Sequence, residues 1–357
     1  MTSATATLIG MPNSKYRLLR AELQKVIEEV PFSVARQEVN DVDKILAYSV
    51  ASIPAVIFNN RIIFENGHTP QKEELVEHIF EEYSKDLAMD TIVVPIDFSQ
   101  NSLEAFLFAQ ELAAEMGSSL QLVHFTTLQI DPYLLQVKGI DDLLNQSKKY
   151  LNQFVAEHRF LDQKFDVQAN VEIGFAAEGV LSFATAKKAD LILMGTKGTS
   201  NLERKLFGSI SMKVAREASC PVLLIPPNVR YEGFKDILVM SEQTEASEMT
   251  KLIMKQLCNR FNAFAHIVHV EKEKSETFHL SELKVAANDK EPAFQAVEIS
   301  SPSIVGAVNK YIEHYDIDLG VIITHHRNLL ENLLHKSITK QMVMHTARPL
   351  LVFHLDT

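Results

Sequence analysis

The last third of the chain repeats the part that precedes it, and this repeat limits the fold more than any other feature of the sequence. The stretch Asp236–Val239 matches Thr91–Val94 at a shift of 145 positions. Further along, Asp318 matches Asp190 at a shift of 128 positions, and the match then continues without gaps. The two shifts differ by 17 residues, so the second copy is shorter by that amount. Two like domains in tandem explain this pattern better than one long domain does.

The 357 residues divide into three segments, which agrees with the usual domain length of about 100–200 residues. The first segment covers residues 1–86, the second 89–227 and the third 234–357. In the second segment, apolar stretches of strand length alternate with amphipathic helical stretches. This alternation predicts parallel βαβ units wound on both faces of a sheet. The repeat extends the same α/β prediction to the third segment.

The first segment alternates strands and helices in the order β-α-β-α-β-β-α, including a hairpin of Ala55–Phe58 with Arg61–Phe64. This order resembles that of small thioredoxin-like or glutaredoxin-like domains, which carry a cis-proline at the position of Pro54. Those domains have two cysteines where this sequence has Met11 and Ser14. Neither side chain can form the thiolate that disulfide exchange requires. The resemblance therefore implies a thioredoxin-like domain without redox activity, used for protein contacts.

A glycine-rich loop follows one strand of the second segment. The chain has only 12 glycines, yet Gly195, Gly198 and Gly208 fall within 14 positions, and Ser209 follows at the start of a helix. Ligands of parallel sheets bind beyond the carboxyl ends of the strands. Glycines can take positive φ and let the backbone approach a phosphate closely, while a helix N-terminus offers free N–H groups. The spacing thus predicts a phosphate site, although it is neither a Walker loop nor a dinucleotide fingerprint.

The spacing G-x2-G-x9-G-[ST] is similar to the ATP-binding signature of universal stress proteins. Three further features support the resemblance: Val94–Ser99 opens the segment, His124 closes its second strand, and Ala218–Pro221 precedes its last strand. The resemblance covers about residues 90–227 with all of these motifs and 234–355 with fewer of them.

The resemblance implies that the second segment binds ATP, with AMP and ADP as alternatives and with or without Mg²⁺. Asp97 would accept a hydrogen bond from the adenine amino group, and Pro95 and Phe125 would line the pocket of the base and ribose. The glycine loop and its neighbours would hold the phosphates and ribose: Met194, Gly195, Lys197, Gly198, Gly208, Ser209 and Ile210. The alternative is a fold that has lost its ligand, in which the glycines only form turns.

The third segment lacks most of this signature. Ile323, His326 and Lys336 stand in the positions of the three glycines, and the opening carboxylate is Glu242. Only the serine of the signature is kept, as Ser337. Because side chains at the glycine positions would fill the space of the phosphates, we expect no nucleotide in this segment.

The resemblance also implies how the two copies associate, since universal stress proteins commonly dimerise through their last strand. Those strands are Val222–Ile225 and Leu350–Phe353. The chain is therefore expected to form an internal pseudo-dimer of its second and third segments. A homodimer of whole chains and the identity of a protein partner are left open by the sequence.

Composition and charge argue against several other classes of function. The net charge of −11 disfavours nucleic acid, which requires a basic face. Apolar runs too short for a bilayer and the absence of a recognisable signal peptide predict a cytoplasmic protein without membrane contact. Cys220 and Cys258 cannot form a four-thiolate metal site and are expected to be buried thiols. Nine of the 13 histidines lie in the third segment without a metal-binding spacing, so no metal is expected.

The resemblance therefore implies a non-catalytic, stress-linked regulatory protein that binds an adenine nucleotide through its second segment. The first and third segments would provide surfaces for protein contacts. Two alternatives remain: a ligand-free interaction scaffold, and an enzyme with weak ATPase or thiol-redox activity. The enzyme is the less favoured of these, because no residue can be named from the sequence as a general base.

Overall fold

The computed structural model describes most of the chain. The described residues are 4–29, 34–59, 61–65, 70–85, 89–126, 140–161, 165–196, 208–241, 248–271, 279–284, 294–301, 304–324 and 347–354. They group into two compact units. Unit 1 comprises Met1–Ala88, Ala246–Gln256 and Leu355–Thr357, and unit 2 comprises Met89–Glu245 and Leu257–His354.

Unit 1 contains a four-stranded sheet. Its elements are β1 (Ala4–Ile9), α1 (Ser14–Glu29), β2 (Val34–Val39), α2 (Val42–Leu46), β3 (Ala55–Phe58), β4 (Arg61–Phe64) and α3 (Lys72–Lys85). The strands lie in the order β2-β1-β3-β4, with β1 parallel to β2 and antiparallel to β3. The Ile53–Pro54 peptide bond is cis, and Asn59 takes a φ of 46° in the turn from β3 to β4. The predicted hairpin is therefore confirmed.

The apolar face of α1 explains why this helix lies on the sheet. Leu19, Leu23 and Val26 are spaced three or four residues apart and are completely buried. Leu18, one position earlier, faces away and is 57% exposed. At the start of the helix, the Tyr16 hydroxyl donates to Glu38 of β2 at 2.9 Å. An apolar stripe and polar contacts with β2 thus fix the orientation of α1 against the sheet.

Unit 2 is built around one sheet, which has eleven strands in the described part of the chain. Its first half contains β5 (Thr91–Pro95), α4 (Gln100–Met116), β6 (Ser119–Thr126), α5 (Ile140–His158), β7 (Val167–Ile173), α6 (Ala176–Lys187), β8 (Leu191–Gly195), α7 (Ser209–Glu217) and β9 (Val222–Ile225). Its second half contains β10 (Asp236–Ser241), α8 (Glu248–Phe261), β11 (Phe264–Glu271), β12 (His279–Lys284), β13 (Phe294–Ser300), α9 (Ile304–His314), β14 (Leu319–Thr324) and β15 (Leu350–His354). The first part of α8 belongs to the stretch that groups with unit 1.

The strands of this sheet follow the order β12-β13-β11-β10-β14-β15-β9-β8-β5-β6-β7. Paired neighbours are parallel except β12 with β13 and β15 with β9. The prediction of a mainly parallel α/β sheet is confirmed. The sequence did not predict β12, which adds an antiparallel edge to the sheet. None of the helices in the described ranges is long and apolar enough to cross a membrane.

Strands β9 and β15 join the two halves of the sheet. They pair antiparallel, with Leu350 opposite Leu224 and Val352 opposite Val222. These four side chains are buried in one apolar cluster that also includes Ile322 of β14. Because both faces of these strands are covered, their sequences are continuous apolar runs without alternation.

A buried histidine lies in the second half of the sheet. His266 on β11 is only 3% exposed. Its Nε2 donates to Asp236 at 3.1 Å, and its Nδ1 accepts from the Tyr311 hydroxyl at 2.9 Å. The rings of Phe264 and Tyr315 pack around it. Burial lowers the pKa of His266, and the Asp236 carboxylate opposes that change only in part.

We expect unit 2 to lose stability as the pH falls below 6.5, the ordinary pKa of histidine. The unfolded chain takes up a proton there while folded His266 stays neutral, so unfolding becomes easier by up to about 1.4 kcal/mol per pH unit. Urea unfolding followed by circular dichroism at pH 7.5 and 5.5 measures this loss. The loss is expected to be smaller for His266→Gln, and equal losses in the two proteins would contradict the assignment.

Candidate functional site

A cavity of about 160 Å³ opens at the carboxyl ends of β5, β6 and β8. Eight of the ten site residues predicted from the sequence line it: Pro95, Asp97, Phe125, Met194, Gly195, Gly208, Ser209 and Ile210. The other two, Lys197 and Gly198, lie outside the described residues. The predicted residues from three strands and one helix are thus neighbours, at the edge where parallel sheets bind ligands. Their contacts with a ligand stay a prediction.

The remaining lining residues were not predicted from the sequence as part of the site: Ile96, Ser102, Val123, His124, Ala176, Val180, Thr196 and Ser211. Ile96, Thr196 and Ser211 are each adjacent to a residue that was named, so their position in the chain was the available signal. Ala176 and Val180 belong to α6, which reaches the cavity only through packing of the folded unit. The sequence alone carries no signal for these two.

Helix α7 begins at the cavity without a side-chain cap. Its N-cap residue is Gly208, with φ −75° and ψ 158°, and glycine has no side chain that could cap. The Gly208 N–H donates to the Thr196 carbonyl at 2.6 Å. The N–H groups of the following residues, Ser209, Ile210 and Ser211, have no acceptor within the helix. With the helix dipole, they give this end of the cavity a positive potential.

The described glycines of the loop do not use the conformational freedom of glycine. Neither Gly195 nor Gly208 takes a positive φ. At Gly195, a Cβ would lie 2.7 Å from Oδ1 and 2.9 Å from the carbonyl oxygen of Asn101. Asn101 is buried in α4 and donates from Nδ2 to the Ile225 carbonyl at 3.2 Å. Gly195 is therefore required for packing α4 against β8, whatever ligand the cavity binds.

Asp97 follows β5 at the edge of the cavity. Its Oδ1 accepts from the Ser99 N–H at 3.0 Å, and Ser99 caps α4 by accepting from the Ser102 N–H at 3.1 Å. The side chain is exposed, and Oδ2 has no partner among the described residues. One oxygen thus holds the carboxylate in place and the other is available to a ligand.

Aromatic rings lie around the part of the cavity next to Asp97. His124 Nδ1 lies 2.7 Å from the Ile96 carbonyl; since a carbonyl only accepts, Nδ1 donates. The Phe98 ring lies 4.6 Å from the His124 ring. Phe125 packs so closely on Gly179 of α6 that a Cβ there would overlap the ring. The rings of Phe98, His124 and Phe125 thus give this part of the cavity a largely aromatic surrounding.

Thr196 directly follows Gly195 and is fully enclosed. Its N–H donates to the Ile225 carbonyl at 3.0 Å, and its carbonyl accepts from the Gly208 N–H and from Ser211 Oγ. The residue is 1% exposed. Its Oγ1 has no hydrogen-bond partner among the described residues. A buried hydroxyl without a partner is costly, so this atom marks a place where a partner is expected.

The equivalent positions of the third segment are mostly not described. Glu242, His326, Lys336 and Ser337 lie outside the described residues. Ile323 lies in β14, opposite Phe353 of β15. The expectation that this segment binds no nucleotide stays a prediction.

Both cysteines are buried. Burial raises the pKa of Cys220 to about 12 and that of Cys258 to about 11. Both are therefore protonated at neutral pH, which makes them poor nucleophiles and poor metal ligands. Across the described ranges, no group of three or more His, Cys, Asp or Glu side chains is arranged to hold a metal ion.

The chain is similar to known proteins in the part that forms the cavity. The model of the universal stress protein family matches residues 89–226. Universal stress protein MJ0531 of Methanocaldococcus jannaschii is 33% identical over 138 residues, which is 38% of this chain and 80% of that protein.

Solved structures show the same likeness. A universal stress protein from Archaeoglobus fulgidus DSM 4304 has a TM-score of 0.51 at 14% identity, over 75% of this chain and 97% of its own. At that identity the likeness concerns the fold alone. A universal stress protein solved in complex with cAMP is 25% identical, with a TM-score of 0.32 over 39% of this chain and 97% of its own. The family match includes β5, β6, β8 and α7, and the relative from M. jannaschii is matched over most of its length, so the chain belongs to the universal stress protein family.

Proposed function

We propose that the chain is a stress-linked regulatory protein that binds an adenine nucleotide in the cavity at the carboxyl ends of β5, β6 and β8. ATP is the first candidate, with ADP and AMP as alternatives, and Mg²⁺ would arrive with the phosphates. The observation that carries the proposal is the start of α7, which opens on the cavity with Gly208 at its N-cap. At the start of α4, by contrast, the Ser99 side chain accepts from the Ser102 N–H and so caps that helix itself.

The phosphates would bind at the start of α7. The N–H groups of Ser209, Ile210 and Ser211 supply donors, and the helix dipole favours negative charge at this end. The Ser209 hydroxyl is a further donor at the same place. Backbone donors of this kind need no lysine or arginine, which agrees with the acidic net charge of the chain.

The adenine base would bind beside the Asp97 carboxylate, whose charge is opposite to the positive potential at the start of α7. Asp97 Oδ2 is an acceptor, which matches the amino group of adenine and not the oxygen that guanine carries at the same position. Val123, Phe125 and Val180 provide apolar surface for the ring. The cavity therefore combines one acceptor, apolar walls and a cluster of donors.

We further propose that the other segments act through protein contacts. The element order of unit 1 and the strand order β2-β1-β3-β4 support a thioredoxin-like domain. Met11 and Ser14 in the positions of the cysteines support the absence of redox chemistry. The antiparallel pairing of β9 with β15 supports an internal pseudo-dimer of two universal stress protein domains. Catalysis is not part of the proposal.

Isothermal titration calorimetry of the full chain with ATP tests nucleotide binding, and we expect about one nucleotide per chain. Asp97→Asn keeps the Oδ1 acceptor for the Ser99 N–H but places an NH₂ donor where Oδ2 was. That donor opposes the amino group of adenine and matches the oxygen of hypoxanthine. The affinity for ATP is expected to fall about tenfold in this variant, and the affinity for ITP to rise.

Asp90→Asn is the matched control, because Asp90 precedes β5 at the opposite end of the strand from the cavity. It makes the same change of charge and should leave ATP binding unchanged. Absence of binding heat with ATP, ADP, AMP and cAMP would overturn the proposal and would favour the ligand-free scaffold.

A further inference from the structure

Both the N–H and the carbonyl of the Thr196 backbone form hydrogen bonds within the fold. Its N–H is held by the Ile225 carbonyl at 3.0 Å, which connects the end of β8 to the end of β9. Its carbonyl accepts from the Gly208 N–H at 2.6 Å and from Ser211 Oγ at 3.1 Å, which connects the same point to the start of α7. These contacts fix the Thr196 backbone, and with it the position of Cβ, before any ligand arrives.

The Thr196 side chain carries a hydroxyl that none of the described residues bonds to. The residue is 1% exposed, lines the cavity, and its Oγ1 has no partner among the described residues. Its neighbour Ser211 is 3% exposed, yet its hydroxyl is paired with two backbone carbonyls. Burial by itself therefore does not leave a hydroxyl without a partner here. Among the described residues, the exception is the hydroxyl of Thr196, the residue that follows β8 and is bonded to the start of α7.

We infer that Thr196 Oγ1 donates a hydrogen bond to a phosphate oxygen of the ligand bound at the start of α7, an inference that rests on the proposed nucleotide binding. The N–H donors of α7 and the helix dipole attract an anion to this end of the cavity. A hydroxyl donates most strongly to a charged oxygen. Thr196 thus acts on the phosphate and contributes nothing to recognition of the base.

The test compares AMP with adenosine, which lacks the phosphate. Thr196→Val has nearly the same shape without the hydroxyl, and Thr196→Ser keeps the hydroxyl. For Thr196→Val, calorimetry is expected to show AMP binding about tenfold or more weaker and adenosine binding unchanged. Thr196→Ser should bind AMP within about threefold of the unchanged chain. Thr185→Val is the control, since Thr185 is exposed on α6 and its hydroxyl bonds to the Leu181 carbonyl.

Thermal unfolding without nucleotide provides a second readout. Because removal of an unpaired buried hydroxyl relieves a cost, Thr196→Val is expected to unfold at the same or a higher temperature than the unchanged chain. If the fold or a buried water holds the hydroxyl instead, the unfolding midpoint of Thr196→Val should be lower than that of the unchanged chain. Its affinities for AMP and adenosine should then change equally.

The outcomes separate the two proposals. If the unchanged chain binds neither AMP nor ATP, the proposed function and the inference both fail. If it binds AMP and Thr196→Val binds it equally well, only the inference fails. A selective loss of AMP binding in Thr196→Val, with Thr185→Val unchanged, supports both.

Discussion

Replacement of Gly208 by Asp is expected to abolish nucleotide binding without loss of stability. Gly208 has the extended backbone of an N-cap, which aspartate adopts without strain. Its carboxylate would accept from the N–H groups of the first turn of α7 and so occupy the donors proposed for the phosphates. It would also place a negative charge where the phosphate must bind. Affinity for ATP should fall at least about 100-fold, while unfolding becomes harder by a few tenths of a kcal/mol.

Gly208→Asp is thus expected to lower the affinity for ATP and to raise the free energy of unfolding. Simple damage to the fold would lower both. Calorimetry with ATP measures the first, and urea unfolding followed by circular dichroism measures the second. Gly208→Asn is the matched control, because asparagine caps the helix as well but carries no charge. It should weaken binding less than aspartate does. Normal ATP binding by Gly208→Asp would mean that the start of α7 is not the phosphate site.

Replacement of Gly195 by Ala is expected to destabilise unit 2 by about 3 kcal/mol, the upper end of the usual cost of overpacking. The added Cβ would lie 2.7–2.9 Å from three atoms of Asn101, and one of them is the backbone carbonyl oxygen. Neither β8 nor α4 can move away cheaply, because Asn101 is also bonded to the Ile225 carbonyl. The helix and the sheet must therefore separate to admit one methyl group.

Urea unfolding without nucleotide measures this destabilisation. Gly117→Ala is the control from the same helix, since a Cβ there has nothing within 4 Å and the cost comes only from the φ of 74°. That cost should be about 1 kcal/mol. Equal effects of the two substitutions would show that Gly195 is not required for packing, and the phosphate role predicted from the sequence would then be its main one.

The structure agrees best with the sequence-based predictions where a structural feature depends on residues close together in the chain. The hairpin of β3 and β4 follows from alternating apolar residues and a turn that accepts positive φ. The strand β9 coincides with its predicted range, Val222–Ile225. Strand β12 was missed because it falls in the part of the third segment that the repeat does not align, and its position is decided by pairing with β13.

For the candidate site, too, local features could be predicted from the sequence and long-range contacts could not. Glycine spacing and strand ends located most of the cavity, since the carboxyl ends of neighbouring parallel strands lie together in any such sheet. The packing role of Gly195 could not be predicted, because its close contact is with Asn101, 94 positions earlier in the chain. A pattern of neighbouring residues carries no information about a contact between residues so far apart in the sequence.

By itself, the sequence determined the fold class, the repeat and the strand ends at which a ligand can bind, because periodicity and motif spacing act within short stretches of chain. Tertiary structure alone decided that Gly195 packs on α4, that Ala176 and Val180 of α6 line the cavity, and that the Thr196 hydroxyl has no partner in the described part of the chain. These features depend on distances between segments far apart in sequence, and only close packing sets such distances.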